Sequence, residues 1–367
     1  MTAAPHDELV DRVCHDVATT CGPVDRLVAA AVDRLAPLTD GRERSELIAR
    51  AVARLDGLDA LEHYLSDDSV DEVLVNRGGE IWFERRGELI RGERLPPGAV
   101  DVVLQRVLAP IGRRLDRATP IVDARLDDGS RLCAAIDPVA VDGTVVAIRR
   151  HRLRRIPISS FAPPATVELV LELLRRRSNL LVTGGTSSGK TTFLAALLRS
   201  CPTTERCIVI EDTAELDLPD HHVVRLETRP ATLEGIRAIA ADELVRAALR
   251  LRPDRLVIGE FRGHEALAAV QALNTGHDGS LATCHSNSAL DGLRRLEGLV
   301  LQAAPSWPMA AIRRQVSRSV DAVIHLGRVG ADRRIIEIVE PIESAAEPDG
   351  RVLASHDDVV AEPERRR

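Results

Sequence analysis

The stretch that decides the fold is NLLVTGGTSSGKTTFL, residues 179–194. It opens as a short apolar strand and closes as the start of a helix. Between them Gly184 to Thr191 reads G-G-T-S-S-G-K-T, which fits G-x-x-x-x-G-K-[ST] without a mismatch. Strand, glycine-rich loop and helix in that order build a phosphate cradle. The glycines let backbone N–H groups turn toward an anion, and the helix adds its positive end. On this reading Gly184, Gly185, Thr186, Ser187, Ser188, Gly189, Lys190, Thr191 and Thr192 form a nucleotide site. Lys190 reaches the β- and γ-phosphates of ATP, and the Thr191 hydroxyl ligates Mg²⁺.

Lys190 is the one lysine of the chain, among 49 basic residues. A compact charge on a flexible stem suits the space under such a loop, whereas the planar fork of arginine does not.

Outward from this stretch, residues 163–342 alternate helices with short apolar strands. Strands are expected at 179–183, 206–210, 255–259 and 279–284, and helices at 165–177, 190–199, 241–251, 263–274 and 288–303. That alternation predicts an α/β, RecA-like domain with a mostly parallel sheet. The run VDAVIHLGRVGADRRIIEIVEP reads as a terminal hairpin. Residues 56–150 predict a smaller α+β domain: strand, Gly-Gly turn and strand in SVDEVLVNRGGEIWFERRGELIRG, a helix at 99–108, then three strand-like segments. Residues 1–55 have helical spacing and form a helical extension. The basic, proline-bearing residues 151–162 are a linker, and the polar residues 343–367 a disordered tail.

Aromatic residues make up 2% of the chain and hydrophobic residues 44%, so the core is built of Leu, Val, Ile and Ala. The net charge of −7 gives no general attraction to nucleic acid or anionic lipid. Six cysteines without CxxC or zinc-finger spacing fit a reduced, cytoplasmic compartment. No apolar run approaches the ~20 residues that span a bilayer. Any membrane association is then peripheral, through a partner.

A phosphate loop that supports hydrolysis needs carboxylates at the ends of neighbouring strands. CIVI is followed by Glu211, Asp212 and Glu215, and RLVIG by Glu260. Glu211 and Glu260 are the candidates for holding metal-bound water and orienting the attacking water. An aspartate is expected before Glu260, and Gly259 stands there instead. A third strand, GSLATC, ends at His285, placed to sense the γ-phosphate or relay a movement.

Three segments together resemble one family: GGTSSGKTT, VIEDTAEL, and the run from LRLRPDRLVIGEFRG through NTGHDGSLATCHSNSALDGLRRLE. The chain resembles the secretion-superfamily ATPases of type II secretion, type IV pili and type IV secretion, over roughly residues 56–340. In that family's terms Gly184–Thr191 is Walker A, Glu211–Glu215 lies in the Asp box, Glu260 carries Walker B, and His277 to His285 spans the His box. Absence of the Walker B aspartate is normal there. PIVDARLDDGSRL, HVVRLETRP and NTGHDGSLATCHSNS resemble most the CpaF/TadA type, which drives tight-adherence (Tad) pili. Cys284, Ser286 and the Phe of GEFRG depart from the usual pattern without removing a charge.

The resemblance implies a homo-oligomeric ring, usually a hexamer, on the cytoplasmic face of the inner membrane, acting on a membrane platform protein. It also implies arginines from the smaller domain that reach the phosphates, for which Arg125 and Arg131 are the candidates. Arg149 is a weaker one, as is Arg262 of the larger domain, which stands beside Glu260 and could pair with a Walker B or Asp-box carboxylate. A type IV secretion ATPase exporting DNA or effectors is the alternative within the superfamily. Outside it stand a nucleotide-binding scaffold and a nucleic-acid-directed ATPase, the latter suggested by the basic runs at 149–155 and 175–177. No direct nucleic acid is expected, because aromatics for base stacking are scarce.

Overall fold

The computed structural model describes residues 5–150, 155–218, 222–229, 231, 236–330, 332–344, 347–355 and 358–363. The chain divides into two compact units, Met1–Arg152 and Leu153–Arg367. The division falls inside the expected linker, whose residues 151–154 lie outside the described ones.

The first unit begins with three helices, α1 (Pro5–Val17), α2 (Val24–Leu35) and α3 (Gly41–Asp56). Asp40 caps α3, its Oδ1 accepting the N–H groups of Arg42 and Glu43 at 2.9 and 2.8 Å. The helices bury a core of their own, formed by Val10, Val13, Val28, Val32, Leu47 and Ala51. A short helix, α4 (Glu62–Leu65), leads into β1 (Val70–Asn76), β2 (Glu80–Arg85), β3 (Glu88–Arg94), α5 (Ala99–Leu108), β4 (Ile121–Arg125), β5 (Arg131–Ala135) and β6 (Val145–Arg149). The strands form one antiparallel sheet in the order β3-β2-β1-β6-β5-β4. Val103, Leu104 and Leu108 of α5 pack with Val73, Val75, Leu132 and Ile148 of the sheet.

The second unit carries α6 (Pro164–Arg175), β7 (Leu180–Gly184), α7 (Lys190–Arg199), β8 (Cys207–Glu211), β9 (Val223–Glu227), α8 (Ala241–Ala248), β10 (Arg255–Ile258), α9 (Glu265–Leu273), β11 (Leu281–His285), α10 (Ala289–Ala303), α11 (Met309–Ser319), β12 (Ala322–Val329), β13 (Asp332–Ile342), β14 (Asp349–Ser355) and β15 (Asp358–Val359). Its nine-stranded sheet runs β15-β14-β13-β12-β7-β11-β10-β8-β9. The six strands from β12 to β9 are parallel, and β13 to β15 extend the sheet antiparallel. Every residue of β7, β8 and β10 is buried, as expected of strands covered by helices on both faces. Apolar clusters lie on the two sides of this sheet, one centred on Phe193, Leu194 and Leu197 of α7, the other on Ala269, Leu296 and Val300. Among the described residues no helix is long and apolar enough to cross a membrane.

Two parts of the expectation change. The segment 343–367 is not a disordered tail throughout: β14 pairs with β13, and the N–H groups of Val360 and Ala361 donate to Leu353 O at 2.7 and 3.1 Å. Residues 345–346, 356–357 and 364–367 lie outside the described ones. Edge strand β9 and helix α11 are additional elements. The hairpin β12–β13 and helices α5 and α7 stand where the periodicity puts them.

Candidate functional site

The phosphate loop joins β7 to α7 at the C-terminal edge of the parallel strands. Its shape depends on two glycines. A Cβ on Gly184, at φ +150°, would lie 2.5 Å from both Leu326 O and Ser188 Oγ. Gly189, at φ +94°, is the N-cap of α7, and no side chain caps the helix there. The first N–H groups of α7 have no partner inside the helix. They face the loop with the partial positive charge of the helix end behind them. Ser188 is buried, and its Oγ has no hydrogen-bond partner. Such a cradle accepts an anion's oxygens.

Lys190 lies under this loop, 7% exposed. Its Nζ donates to Gly184 O and Gly185 O, each at 2.9 Å. It also lies 3.2 Å from Nδ1 of His285. Strand register makes that contact possible, because His285 ends β11 directly beside Gly184. The other ring nitrogen, Nε2, is 2.9 Å from Oε1 of Glu260. A lysine ammonium only donates, so Nδ1 accepts and the proton sits on Nε2, which donates to the carboxylate. The Lys190 contact therefore calls for neutral His285, and the Glu260 contact puts the one ring proton on Nε2. Its pKa agrees: burial and then the Lys190 charge lower it, against Glu260, which raises it. Burial likewise lowers the Lys190 pKa, opposed by Glu260.

The chain of contacts continues. Arg262 Nε donates to Glu260 Oε2 at 2.6 Å, and Arg262 Nη1 donates to Asp212 Oδ2 at 3.2 Å. Lys190, His285, Glu260, Arg262 and Asp212 thus form one polar run across the ends of β7, β11, β10 and β8. Of the residues read from the sequence, Lys190, Glu260 and His285 come together here, and Arg262, a weaker candidate, joins them. Thr191 is exposed in the first turn of α7.

Glu211 departs from the expectation. It is buried at the end of β8, and its Oε1 accepts the N–H groups of Glu215 and Leu216 at 2.8 and 2.9 Å. Arg225 Nε lies 3.6 Å from its Oε2. Burial raises its pKa, while the two backbone bonds and Arg225 pull it down. In this arrangement the carboxylate shapes the loop after β8 rather than joining the run at Lys190. A side chain at residue 259 would be crowded in the same place: a Cβ there would lie 3.1 Å from Cγ of Glu211.

Arg125 and Arg131 belong to the first unit. Arg125 is directly opposite Arg131 across β4–β5, and Arg131 is opposite Arg149 across β5–β6. The three form one row on one face of that sheet. The sequence reading also passes over a buried pair behind the loop: Thr183 Oγ1 and His325 Nδ1 are 3.0 Å apart, on adjacent strands β7 and β12. Only the pairing of strands far apart in sequence reveals it.

Among the described residues no cluster of three or more His, Cys, Asp or Glu is arranged to hold a metal. The donor set at the loop is a hydroxyl and a carboxylate. It suits a hard cation that keeps waters and takes most of its oxygens from phosphates, as Mg²⁺ does.

Fold and loop define a RecA-like α/β P-loop domain, preceded by a smaller α+β domain and a helical extension. Residues 54–350 match the family described as Type II/IV secretion system protein, and the chain belongs to that family. It is 37% identical over 313 residues to Rv3659c of Mycobacterium tuberculosis, named as a putative conjugal transfer protein, covering 82% of this chain and 88% of that protein. It is 34% identical over 320 residues to the type IV secretion system protein PtlH of Bordetella pertussis, covering 77% and 93%. The crystal structure of the pilus retraction motor PilT with bound ADP superposes with a TM-score of 0.57 at 20% identity, over 75% of this chain and 80% of that one. That likeness is one of fold.

Proposed function

We propose that this chain is a Mg²⁺-dependent motor ATPase that powers a pilus or secretion machine. One observation carries the proposal: Lys190, buried beneath the phosphate loop, is linked through His285 to Glu260. Such a link gives the loop a means of sensing the end of a triphosphate. The loop N–H groups and Lys190 bind the phosphates. Mg²⁺, held by Thr191 and phosphate oxygens, would offset phosphate charge. Glu260 orients the attacking water. His285, hydrogen-bonded to both Glu260 and Lys190, registers whether the γ-phosphate is present. Arg262 holds Glu260 toward Asp212 until nucleotide arrives. Glu211 supports the neighbouring loop. Arg125 and Arg131 of the first unit, with Arg149 in the same row, supply charge to the phosphates when the units close, which couples hydrolysis to movement.

On this reading the working form is a homo-oligomeric ring, a hexamer, at the cytoplasmic face of the inner membrane, where it drives a platform protein. Two finer assignments differ in what the ring drives. The segments PIVDARLDDGSRL and NTGHDGSLATCHSNS support a Tad-type pilus. The name of PtlH favours a type IV secretion machine.

ATP hydrolysis measured against protein concentration, with size analysis, tests the proposal. Specific activity should rise as the ring forms. Activity absent at every concentration, or unchanged by Lys190→Ala, refutes it.

A further inference from the structure

The ammonium of Lys190 has three N–H donors. All three meet acceptors within the protein: Gly184 O and Gly185 O at 2.9 Å each, and His285 Nδ1 at 3.2 Å. The nucleotide reading asks the same ammonium to contact phosphate. One of the three bonds must therefore be exchanged for it.

The two carbonyls are poorly suited to leave. Gly184 pairs with His285 on one side and Leu326 on the other, so its backbone is held between β11 and β12. Gly185 O also accepts the N–H of Ser188 at 3.4 Å, across the loop. Its carbonyl shares a rigid peptide plane with the N–H of Thr186, and turning one away turns the other out of the cradle. His285 differs. Its bond to Lys190 is the longest of the three. Its side chain is 49% exposed and leaves by rotation, without moving backbone. A phosphate oxygen is charged and makes the stronger bond with an ammonium, so the exchange is favourable. His285 also stands on the Glu260 side of Lys190, joined to that carboxylate at 2.9 Å. Glu260 is the group assigned to the attacking water, so the acceptor that replaces His285 belongs to the terminal phosphate.

We infer that His285 is a built-in competitor of the terminal phosphate for Lys190: the γ-phosphate of ATP takes the third ammonium donor from Nδ1, whereas ADP leaves the His285 bond in place. The inference rests on the nucleotide reading of the loop and gives His285 a part in setting the affinity for ATP relative to ADP. The histidine holds down the affinity for ATP. Its release from Lys190 carries the arrival of the γ-phosphate to Glu260 through the same ring.

Titration of the full chain with Mg²⁺, at about pH 8 where histidine is neutral, tests this with a non-hydrolysable ATP analogue and with ADP. His285→Phe keeps a ring between Lys190 and Glu260 and removes the acceptor. It should bind the analogue about tenfold more tightly, the scale of one hydrogen bond to a charged group, and bind ADP within about twofold of the starting protein. His285→Ala, without acceptor or ring, should tighten the analogue too. His285→Gln supplies an acceptor again and should return the affinity toward that of the starting protein. Turnover of ATP should fall in His285→Phe, because Glu260 loses its Nε2 partner, so KM and kcat drop together. A residue that only packed would loosen both nucleotides when replaced. His285→Phe binding the analogue no more tightly than the starting protein would overturn the inference. Equal tightening of ADP would overturn it as well, since the exchange would then belong to a phosphate both nucleotides carry. Starting protein and His285→Phe both failing to bind either nucleotide would instead overturn the nucleotide reading, and the exchange with it.

Discussion

Gly259 packs closely against Glu211: a Cβ at 259 would lie 3.1 Å from Glu211 Cγ and 3.3 Å from Ile210 O, so these neighbours would have to give by a few tenths of an ångström. The residue before Glu260 and the last residue of β8 are therefore one packing decision. Gly259→Asp should cost about 1–3 kcal/mol through overpacking. It should cost less in a Glu211→Ala background. Urea unfolding of the two single variants and the double variant measures the coupling; equal costs in both backgrounds would separate the two positions.

Glu211 has its own signature. Glu211→Ala leaves the N–H groups of Glu215 and Leu216 without an acceptor and should cost about 1–3 kcal/mol, whereas Glu211→Gln retains an acceptor and should cost less. The folded-state pKa is raised, chiefly by burial. The folded chain then holds this proton more tightly than the unfolded one. The ionised form opposes folding, and its cost grows as pH rises above the ordinary glutamate value. Glu211→Gln should therefore compare more favourably with the starting protein at neutral pH than at pH 4, as measured by unfolding at both.

His285 predicts a pH dependence of opposite sense. Its folded pKa lies below the ordinary value of 6.5. The unfolded chain therefore takes up the proton first, and the stability this site confers falls as pH drops through and below that value. Protonation also removes the acceptor for Lys190. Turnover should be flat above the ordinary histidine pKa and fall on the acid side. His285→Gln, which can both accept and donate, should flatten the acid limb at a lower plateau. An unchanged acid limb in that variant would assign the titration elsewhere.

Glu260→Gln should bind nucleotide normally and lose about 10²–10⁴ in turnover, the range for a positioned acid or base. Arg262→Ala frees Glu260 and should change turnover far less. Arg131→Ala and Arg125→Ala should behave like Glu260→Gln, retaining binding and losing turnover. Binding titrations alongside steady-state rates separate these cases.

Much of the fold was legible because its signals are local. Gly184–Thr191 sets a strand, a loop and a helix in register, and the short β-branched runs CIVI and RLVI, set between helical segments, read as buried strands. β14 was missed because GRVLAS is short and lies in polar surroundings; its partner β13, not its composition, makes it a strand. At the site, Lys190 was legible from the loop motif, and Glu260 and His285 from topology, since they lie at the ends of the parallel strands β10 and β11. The orientation of Glu211 was not, because it is set by the backbone N–H groups of Glu215 and Leu216 and by Arg225 of β9, a strand the periodicity did not show.

The central claim is that the buried lysine and the carboxylate reached through His285 form one hydrolytic site. The most direct test is steady-state ATP hydrolysis by the full chain with Mg²⁺, compared with Lys190→Ala and Glu260→Gln, with nucleotide binding measured on the same preparations. The account predicts robust turnover in the starting protein, none in Lys190→Ala, where binding is lost, and a loss of about 10²–10⁴ in Glu260→Gln, where binding is kept. Turnover that survives both substitutions would contradict it.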